Sequence, residues 1–228
     1  MSKLIPGLVA IIPAYNEAAN LQTVVKAVSS YASTVIVVDD ASIDNTAQIA
    51  EKAGALVVRH CLNLGQGAAL QTGFALAKNL KARYVLTYDA DGQFTATEIP
   101  RLLKPLIQSQ CDVCLGSRFL GKTIGLPRSR LVALKLGIMF TALVSGVHLT
   151  DVHNGFRALN AKALKRIHLT QNRMEHASEI IDQIIRFRLQ YQEIPVTVRY
   201  TRQTLAKGQK SLHAFFLGSR LLLNKLFN

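Results

Sequence analysis

The amino-acid sequence predicts an α/β fold, in which a mainly parallel central sheet is flanked by helices on both faces. Two observations in the first half of the chain predict it. Short, continuously apolar runs alternate with segments whose apolar residues recur at helical spacing, as expected for strands that are buried on both sides. Each apolar run also leads into polar residues, at the strand ends where such sheets bind their ligands. With 228 residues, the chain can form one full domain.

The first five strands are predicted from these apolar runs, at residues 8–12, 34–38, 55–58, 82–87 and 113–116. A helix follows each of the first four. Asn16 is the predicted N-cap of the first helix, the second begins near Asp44, and residues 67–80 form the third. Thr95 and Glu98 have the spacing of a capping box, which places the fourth helix directly after them.

The second half of the chain is less regular. Two further strands and a helix between them are predicted at residues 155–159, 193–200 and 177–190. Residues 131–149 are strongly apolar, but Lys135 and His148 interrupt them, and the run is shorter than the roughly 20 residues of a membrane-spanning helix. We expect a core or interfacial helix there. Residues 211–228 predict an amphipathic helix that lies on a membrane, or packs against the body or a second subunit.

Charge is distributed unevenly along the chain. The net charge is +13, yet residues 1–117 contain 9 Lys+Arg and 9 Asp+Glu, so the whole excess comes from residues 118–228. We therefore expect the second half to face an anionic partner, such as a phosphorylated substrate, a phospholipid surface or nucleic acid. A solvated basic face without a partner is the alternative.

Composition indicates a folded cytoplasmic protein. The chain is 49% hydrophobic and 18% charged, which is typical of globular domains. Three cysteines do not make a disulfide framework, and nothing before Pro13 has the pattern of a secretory signal peptide. We therefore expect reduced cysteines in a cytoplasmic environment.

The most informative motif follows the fourth predicted strand, where Asp89, Asp91 and Gln93 alternate. Alternate side chains of an extended segment share one face, so these three could converge on one point. Carboxylate and amide oxygens are hard ligands that suit Mg²⁺ or Mn²⁺, and such ions keep positions open for phosphate oxygens. The motif predicts a site for a metal ion and a diphosphate, although an Asp-x-Asp pair by itself is also common in surface turns.

Polar residues also follow the first two predicted strands. After the first, Tyr15 could stack on a base and Glu17 could accept hydrogen bonds from ribose, or residues 13–17 could simply begin a helix. After the second, the adjacent carboxylates of Asp39 and Asp40 repel each other unless one has a donor, such as the N–H of a nucleobase. A simple turn is the alternative for this second motif.

After the third predicted strand, Gly65 and Gly67 would let the backbone approach a ligand. This loop lacks the third glycine of a dinucleotide-binding fingerprint, and the acidic residue expected about 20 positions later is missing, which excludes a nicotinamide or flavin site. A Walker phosphate loop, a Ser/His/Asp arrangement and a histidine-rich zinc cluster do not occur in the sequence either. The metal and diphosphate site therefore remains the leading interpretation.

Taken in order, six strings resemble the family 2 glycosyltransferases of the A-type fold. They are residues 12–17, 38–42, 63–67, 89–92, 116–119 and 154–157, which read IPAYNE, VDDAS, NLGQG, DADG, GSRF and NGFR. The branch that the chain resembles is that of the polyprenyl-phosphate sugar synthases, of the dolichyl-phosphate mannose synthase kind. The resemblance implies a single Rossmann-like domain over residues 1–210, with a nucleotide-sugar-binding half at 1–117 and an acceptor half at 118–210.

The resemblance also implies roles for the strand-end residues. The nucleoside of a UDP- or GDP-linked sugar would be held by Pro13, Tyr15, Glu17 and Asp40. Asp39, Gly65 and Gly67 are further candidates for substrate contacts. Asp89, Asp91 and Gln93 would hold Mg²⁺ or Mn²⁺ on the diphosphate. Gln66 departs from the family pattern, since many relatives have a lysine there, so the resemblance implies no cationic role at this position.

The basic acceptor half would bind the acceptor. The candidates for substrate contacts there are Arg118, Arg128, Arg130, Asn154 and Arg157, together with Lys210 in a basic loop that resembles the loop closing over the diphosphate in relatives. The fork of an arginine side chain suits phosphate oxygens. Arg157 could instead pair internally with Asp151.

The reaction implied is inverting transfer of a hexose, assisted by the metal ion that Asp91 holds. An acceptor that is already an anion, such as a polyprenyl phosphate or a lipid-linked glycan phosphate, needs no strong general base. A sugar hydroxyl, as in polysaccharide assembly, needs a carboxylate base, for which Asp151, Glu175 and Glu179 are the candidates and Glu179 the first choice.

Two other classes of function are weighed against this one. A basic nucleic-acid-binding protein would have aromatic residues interleaved with its charges, which the second half lacks, so we expect no nucleic acid. A non-catalytic nucleotide-sugar binder would not need Asp91. The two C-terminal transmembrane helices of some relatives have no counterpart in residues 211–228, so we expect a peripheral protein at the inner face of the membrane. A homodimer is left open.

Overall fold

The computed structural model of the protein describes residues 3–145, 147–201 and 204–205. The strands along this part of the chain are β1 (Ile5–Ala14), β2 (Ala32–Asp39), β3 (Leu56–Arg59), β4 (Tyr84–Thr87), β5 (Val113–Ile124), β6 (Arg157–Asn160) and β7 (Tyr191–Arg199). The helices are α1 (Ala18–Ser29), α2 (Thr46–Lys52), α3 (Gln66–Asn79), α4 (Ile99–Ile107), α5 (Arg128–Ser145), α6 (Ala161–Arg166) and α7 (His176–Arg186).

The strands form one sheet in the order β3-β2-β1-β4-β6-β5-β7. Neighbouring strands are parallel except that β6 is antiparallel to both β4 and β5. Alternate residues of a strand face opposite sides of the sheet, and in β1, Ala10 and Ile12 belong to a core with α1 and α4, whereas Val9 and Ile11 belong to a core with α3 and α7. The predicted α/β class and mainly parallel sheet are confirmed.

The strand register brings the predicted strand-end motifs to one edge of the sheet. Ala14 at the end of β1 pairs with Asp39 at the end of β2, and Ile11 pairs with Thr87 at the end of β4. The antiparallel β6 lies beside β4, so that Thr87 also pairs with Arg157. Motifs from both halves of the chain therefore meet at the carboxyl ends of the parallel strands.

β5 extends further than the predicted strand. It runs from Val113 to Ile124, and residues 122–124 pair with β7 after a register shift. The predicted boundary after residue 117 falls inside this strand, so the two halves share one sheet. The sequence patterns do not predict the short helix α6, which begins where Asn160 Oδ1 accepts a hydrogen bond from Ala163 N at 2.8 Å.

Both helix caps predicted from sequence are wrong. Asn16 has a left-handed backbone with a φ of 54°, and its side chain accepts a hydrogen bond from Ile43 N at 3.0 Å, while α1 begins at Ala18 without a side-chain cap. Glu98 does not close a capping box at Thr95, since its carboxylate accepts from Thr197 N at 2.7 Å. These polar side chains join distant loops, and local spacing cannot reveal such partners.

Part of the predicted C-terminal region lies outside the described residues. Lys210 and the amphipathic helix predicted for residues 211–228 are both in this part of the chain. Within residues 3–145, 147–201 and 204–205, no helix combines the length and the apolar character needed to cross a membrane.

Candidate active site

The Asp-x-Asp motif forms a turn after β4. The sequence predicted an extended segment, but the chain turns here. Asp91 accepts two hydrogen bonds from Gln93, one from its backbone N at 3.1 Å and one from its side-chain Nε2 at 2.7 Å. Asp89 accepts from Gln66 Nε2 at 3.1 Å, across from the start of α3. The two aspartates still lie close enough for their charges to interact, since Asp91 is one of the groups that raise the pKa of Asp89.

The environment of Asp89 suits a cation. Burial of the carboxylate, and then repulsion by Asp91, raise the pKa of Asp89 to about 7, although Arg157 and Arg118 act in the opposite direction. Gly155 packs directly on the carboxylate, where a Cβ would lie 2.5 Å from both oxygens. A divalent ion would offset the repulsion between two such carboxylates, and oxygen donors are the ligands that Mg²⁺ and Mn²⁺ prefer.

The described residues contain no cluster of three or more His, Cys, Asp or Glu side chains that could hold a metal ion. Asp89 and Asp91 therefore form a carboxylate pair rather than a complete cage. That fits an ion that keeps coordination positions for water or for the phosphate oxygens of a substrate. The donor chemistry of Asp89 and Asp91 fits the predicted metal.

Arg157 is buried behind the aspartates. Burial lowers the pKa of its guanidinium to about 10, against the opposing effects of Asp89 and Asp151, and its Nη2 donates to Val152 O at 2.9 Å. The internal Arg157–Asp151 ion pair, the alternative considered from sequence, is not among the ion pairs of the described residues. Arg157 is thus placed as a buried positive charge close to Asp89, with little surface to offer an acceptor.

Asp151 pairs with Arg118 instead. The Arg118 Nε donates to Asp151 Oδ2 at 2.6 Å, and both side chains are buried. Asn154 Nδ2 donates to the same oxygen at 3.2 Å. Arg118 also donates to the hydroxyl of Tyr200, and the guanidinium of Arg130 lies 5.1 Å from the centre of the Tyr200 ring. Arg118, Asp151 and Asn154 therefore form an internal network.

The remaining basic candidates of the acceptor half lie nearer to solvent. Arg130 is half-buried at the first turn of α5, stacked on Tyr200, and Arg128 is exposed. Of the four arginines predicted to contact the acceptor, these two are more exposed to solvent than the buried Arg118 and Arg157.

The two adjacent aspartates after β2 have different surroundings. Asp40 accepts hydrogen bonds from Leu64 N at 2.9 Å and Gly65 N at 2.7 Å, and His60 Nδ1 lies 2.8 Å from its Oδ1. Its carboxylate therefore holds the loop before α3; the predicted contact of Asp40 with the nucleoside stays a prediction. The repulsion between the neighbouring carboxylates is offset by separate donors.

Asp39 retains unused bonding capacity. It is fully buried, and its Oδ1 accepts from Ser42 N at 3.0 Å. Its Oδ2 lies 3.2 Å from Arg59 Nε but makes no hydrogen bond. Tyr15 is 47% exposed beside it at the end of β1, which leaves an aromatic surface open to a planar ligand, whereas Pro13 is buried within the strand.

Gly65 and Gly67 lie close to the backbone of the segment before α7. A Cβ at Gly65 would lie 2.4 Å from Asn172 O, and one at Gly67 would lie 2.0 Å from Gln171 O. Gly65 also has a φ of 104°, which only glycine adopts without strain. The glycines therefore allow the segment before α7 to pack on the start of α3.

Glu179, the first choice for a general base, anchors that same segment. Its carboxylate accepts from Thr170 N at 2.9 Å, from Thr170 Oγ1 at 2.6 Å and from Gln171 N at 3.0 Å. The third candidate, Glu175, is exposed at the start of α7. The structure thus engages Asp151 and Glu179 in internal hydrogen bonds.

Sequence reasoning missed two residues beside the site. Gly155 was seen only as part of a motif, although its contact with Asp89 leaves no room for a side chain. His176 is buried; burial, and then Arg157, lower the pKa of its imidazole to about 4, and its Nδ1 lies 2.6 Å from Arg173 O. A histidine at a helix start carries no sequence signal that separates this position from an ordinary packing residue.

Sequence comparison with known proteins identifies the family of this chain. Residues 9–168 match Glycosyl transferase family 2. A UDP-N-acetylglucosamine–dolichyl-phosphate N-acetylglucosaminyltransferase of Methanococcus voltae is 30% identical over 239 residues, covering 95% of each chain. An undecaprenyl-phosphate mannosyltransferase of Micrococcus luteus is 29% identical over 211 residues, covering 88% of this chain and 86% of the relative.

The fold also matches solved structures. Glucosyl-3-phosphoglycerate synthase from Mycobacterium tuberculosis, crystallised with Mn²⁺, UDP and glucosyl-3-phosphoglycerate, superposes with a TM-score of 0.70 at 19% identity, covering 92% of this chain and 78% of that one. At this identity the likeness establishes the A-type fold alone. The family match covers well over half of the chain and includes the strand-end motifs and the Asp-x-Asp turn. The chain therefore belongs to glycosyl transferase family 2 and is a glycosyltransferase that uses a nucleotide-sugar donor.

Proposed function

We propose that the enzyme transfers a hexose, with inversion and with a divalent metal ion, from a UDP- or GDP-linked sugar to a polyprenyl phosphate or related lipid-linked acceptor. The observation that carries this proposal is the pair of carboxylates just after β4, where burial of Asp89 and repulsion by Asp91 raise the pKa of Asp89 to about 7. Two carboxylates held in this way favour a divalent cation, and a diphosphate is the substrate group that such a cation would share.

On the donor side, Asp89 and Asp91 would hold the ion, with Gln93 keeping Asp91 in place through its amide. When bound, the ion would neutralise the charge that grows on the leaving nucleoside diphosphate. Tyr15 is 47% exposed, so a base could stack on its ring, and the buried Asp39 would support this end of the site from within the fold. Asp40, Gly65 and Gly67 would fix the position of the loop before α3, which borders the site.

On the acceptor side, the hydrogen bonds that already engage the carboxylates of Asp151 and Glu179 favour a phosphate acceptor. A sugar hydroxyl must lose its proton to a base within hydrogen-bonding reach. The carboxylates of Asp151 and Glu179 already accept several protein hydrogen bonds, and Glu175 is exposed. A phosphate monoester is already anionic, so it can attack without a base, and Arg128 and Arg130 would attract and orient it.

The relatives support the same acceptor class, since two of them are named for transfer to dolichyl phosphate and undecaprenyl phosphate. Lipid acceptors lie in a membrane, and we infer that the enzyme works as a peripheral protein at the cytoplasmic face. The basic half, residues 118–228, would then meet the anionic surface in which the acceptor is embedded.

The test is a transfer assay with purified protein, a panel of UDP- and GDP-linked sugars, and a short-chain, water-soluble prenyl phosphate. We expect product only when Mn²⁺ or Mg²⁺ is present, with the anomeric configuration of the donor inverted. The matched control acceptor is the corresponding prenol, which lacks only the phosphate. Transfer to the prenol at a similar rate would refute the phosphate-acceptor proposal, and full turnover in excess chelator would refute the metal site.

A further inference from the structure

The outer face of α5 is apolar where an exposed helix normally is polar. Val132, Leu136 and Met139 follow one another at spacings of four and three residues, and they are 57%, 53% and 57% exposed. Leu134 and Ile138 on the other side are half-buried, and Ile138 packs against the core. Helices that cover a globular domain place polar residues on their outer face. Large side chains that stay exposed at helical spacing indicate an interaction surface.

Basic residues accompany this apolar face. Lys135 is exposed between Val132 and Leu136 on α5. On the extension of β5, which leads into α5, Leu120, Lys122 and Ile124 alternate and are all exposed. From residue 118 to residue 150 the chain has five Lys or Arg and no Asp or Glu. Arg118 is buried and paired with Asp151; the other four cations, together with the exposed apolar side chains, make this region both apolar and positively charged.

Two partners could cover this face of α5: a second copy of the chain or a phospholipid surface. The charge of the face distinguishes between them. In a symmetric dimer, the same patch of both subunits meets, so two copies of this surface would bring like charges together. An anionic phospholipid surface supplies the opposite charge in its headgroups and an apolar layer beneath them. Binding to a membrane interface grows with the apolar area buried and with attraction of Lys and Arg to anionic lipids; the exposed face of α5 supplies Val132, Leu136 and Met139 for the first and Arg128 and Lys135 for the second.

We propose that the outer face of α5, together with Leu120, Lys122 and Ile124 of the β5 extension, docks the enzyme on an anionic phospholipid surface. The helix lies in the interface and does not cross the bilayer. This inference rests on the proposed function in one respect: a lipid-linked acceptor would lie in the membrane on which the enzyme docks. Arg130 in the first turn of α5 stacks on Tyr200, which is bonded to Arg118, so docking brings the acceptor side of the site to the headgroups.

The test is cosedimentation of the full-length chain with phosphatidylcholine vesicles that do or do not contain phosphatidylglycerol, without donor or acceptor. Wild type should bind the anionic vesicles, and less tightly as salt increases. The variant V132S/L136S/M139S should bind at least about tenfold more weakly, because it loses apolar surface that the lipid would cover. The variant K122Q/K135Q should lose about fivefold per charge.

The matched control is L56S/L80S/I107S, which removes three leucine or isoleucine side chains that are 45%, 49% and 46% exposed on other parts of the molecule. It should bind like wild type. Unchanged binding of V132S/L136S/M139S would overturn the proposal, as would an equal loss in the control. The charge variant alters only exposed side chains, so it tests the surface even where the apolar variant folds poorly.

Sedimentation velocity without vesicles separates a protein partner from a lipid one. If wild type is a dimer that V132S/L136S/M139S converts to a monomer, while vesicle binding is unchanged, a second copy covers α5 and the proposal is wrong. Because the vesicle assay contains no substrate, its failure is distinct from failure of the proposed function. Transfer to a water-soluble prenyl phosphate can persist when docking fails, and docking can persist when no transfer occurs.

Discussion

Replacing Asp89 with asparagine should stabilise the metal-free fold at neutral pH while removing activity. Burial, followed by repulsion from Asp91, raises the pKa of Asp89 from 3.8 to about 7. The folded state therefore binds this proton more tightly than the unfolded chain does. Ionising Asp89 costs folding free energy, so its effect on stability is small below about pH 4, grows as pH rises to about 7, and is then constant.

The size of the effect follows from the shift in pKa. The pKa of Asp89 rises from 3.8 in the unfolded chain to about 7 in the folded state. At about 1.4 kcal/mol per pKa unit, the ionised carboxylate lowers the free energy of unfolding by at most about 4 kcal/mol above neutral pH. This value already includes the attraction of Arg157 and Arg118. Asparagine resembles the protonated acid in shape and charge. Asp89→Asn should therefore raise the unfolding free energy by up to about 4 kcal/mol at about pH 8, and leave it almost unchanged at about pH 4.

The assay is thermal or urea unfolding in the presence of a chelator at several pH values. For a domain of this size, about 1 kcal/mol corresponds to roughly 2–4 °C in Tm, so the largest difference should be close to about 10 °C. Adding Mn²⁺ at about pH 8 should raise the Tm of wild type and have little effect on the variant, because the ion binds the ionised carboxylates.

Asp112→Asn is the matched control, since the chemical change is identical and the expected sign is opposite. Although burial raises the pKa of Asp112, hydrogen bonds from Lys162, Asn160 and Gln190 N outweigh it and lower the pKa overall. This carboxylate stabilises the fold above its unfolded pKa, and the benefit is lost as pH falls. The substitution should cost about 1–3 kcal/mol at neutral pH. If Asp89→Asn is no more stable than wild type at about pH 8, or gains equally at about pH 4, the electrostatic reasoning is refuted.

Three further predictions concern residues around the site. Asp151→Asn leaves the buried Arg118 without its charge partner, and urea titration should show a loss of about 3–5 kcal/mol; a loss below about 1 kcal/mol would contradict the network. Gly67→Ala would place a Cβ 2.0 Å from Gln171 O, so Tm should drop by an amount equivalent to about 1–3 kcal/mol, and an unchanged Tm would mean that the contact is not formed. Glu179→Gln should keep kcat with a prenyl phosphate within about tenfold, whereas a loss of about 10³ would identify Glu179 as the base.

Much of the fold could be predicted from local patterns. Apolar runs marked the positions of β1 to β5, because strands that are buried on both faces must be continuously apolar. Polar strings at the strand ends predicted where the site would lie, since parallel strands present their carboxyl ends at one edge. The Asp89–Asp91 pair and the neutral and basic halves of the chain needed no coordinates, because residue type and order alone define them.

The sequence by itself determined the class of sheet, the edge that carries the site, and the presence of two carboxylates there. Only the tertiary structure decided how those groups are used. The antiparallel pairing of β6 with β4 placed Arg157 close to Asp89, and Gly155 packs on the Asp89 carboxylate. Arg118 pairs with Asp151, and Asp40 accepts a hydrogen bond from the loop before α3. Such partners lie tens of residues apart, and strand register rather than local spacing brings them together. The exposed apolar face of α5 is likewise known only from the tertiary structure, because the helix is apolar on both sides and the sequence does not show which side packs against the core.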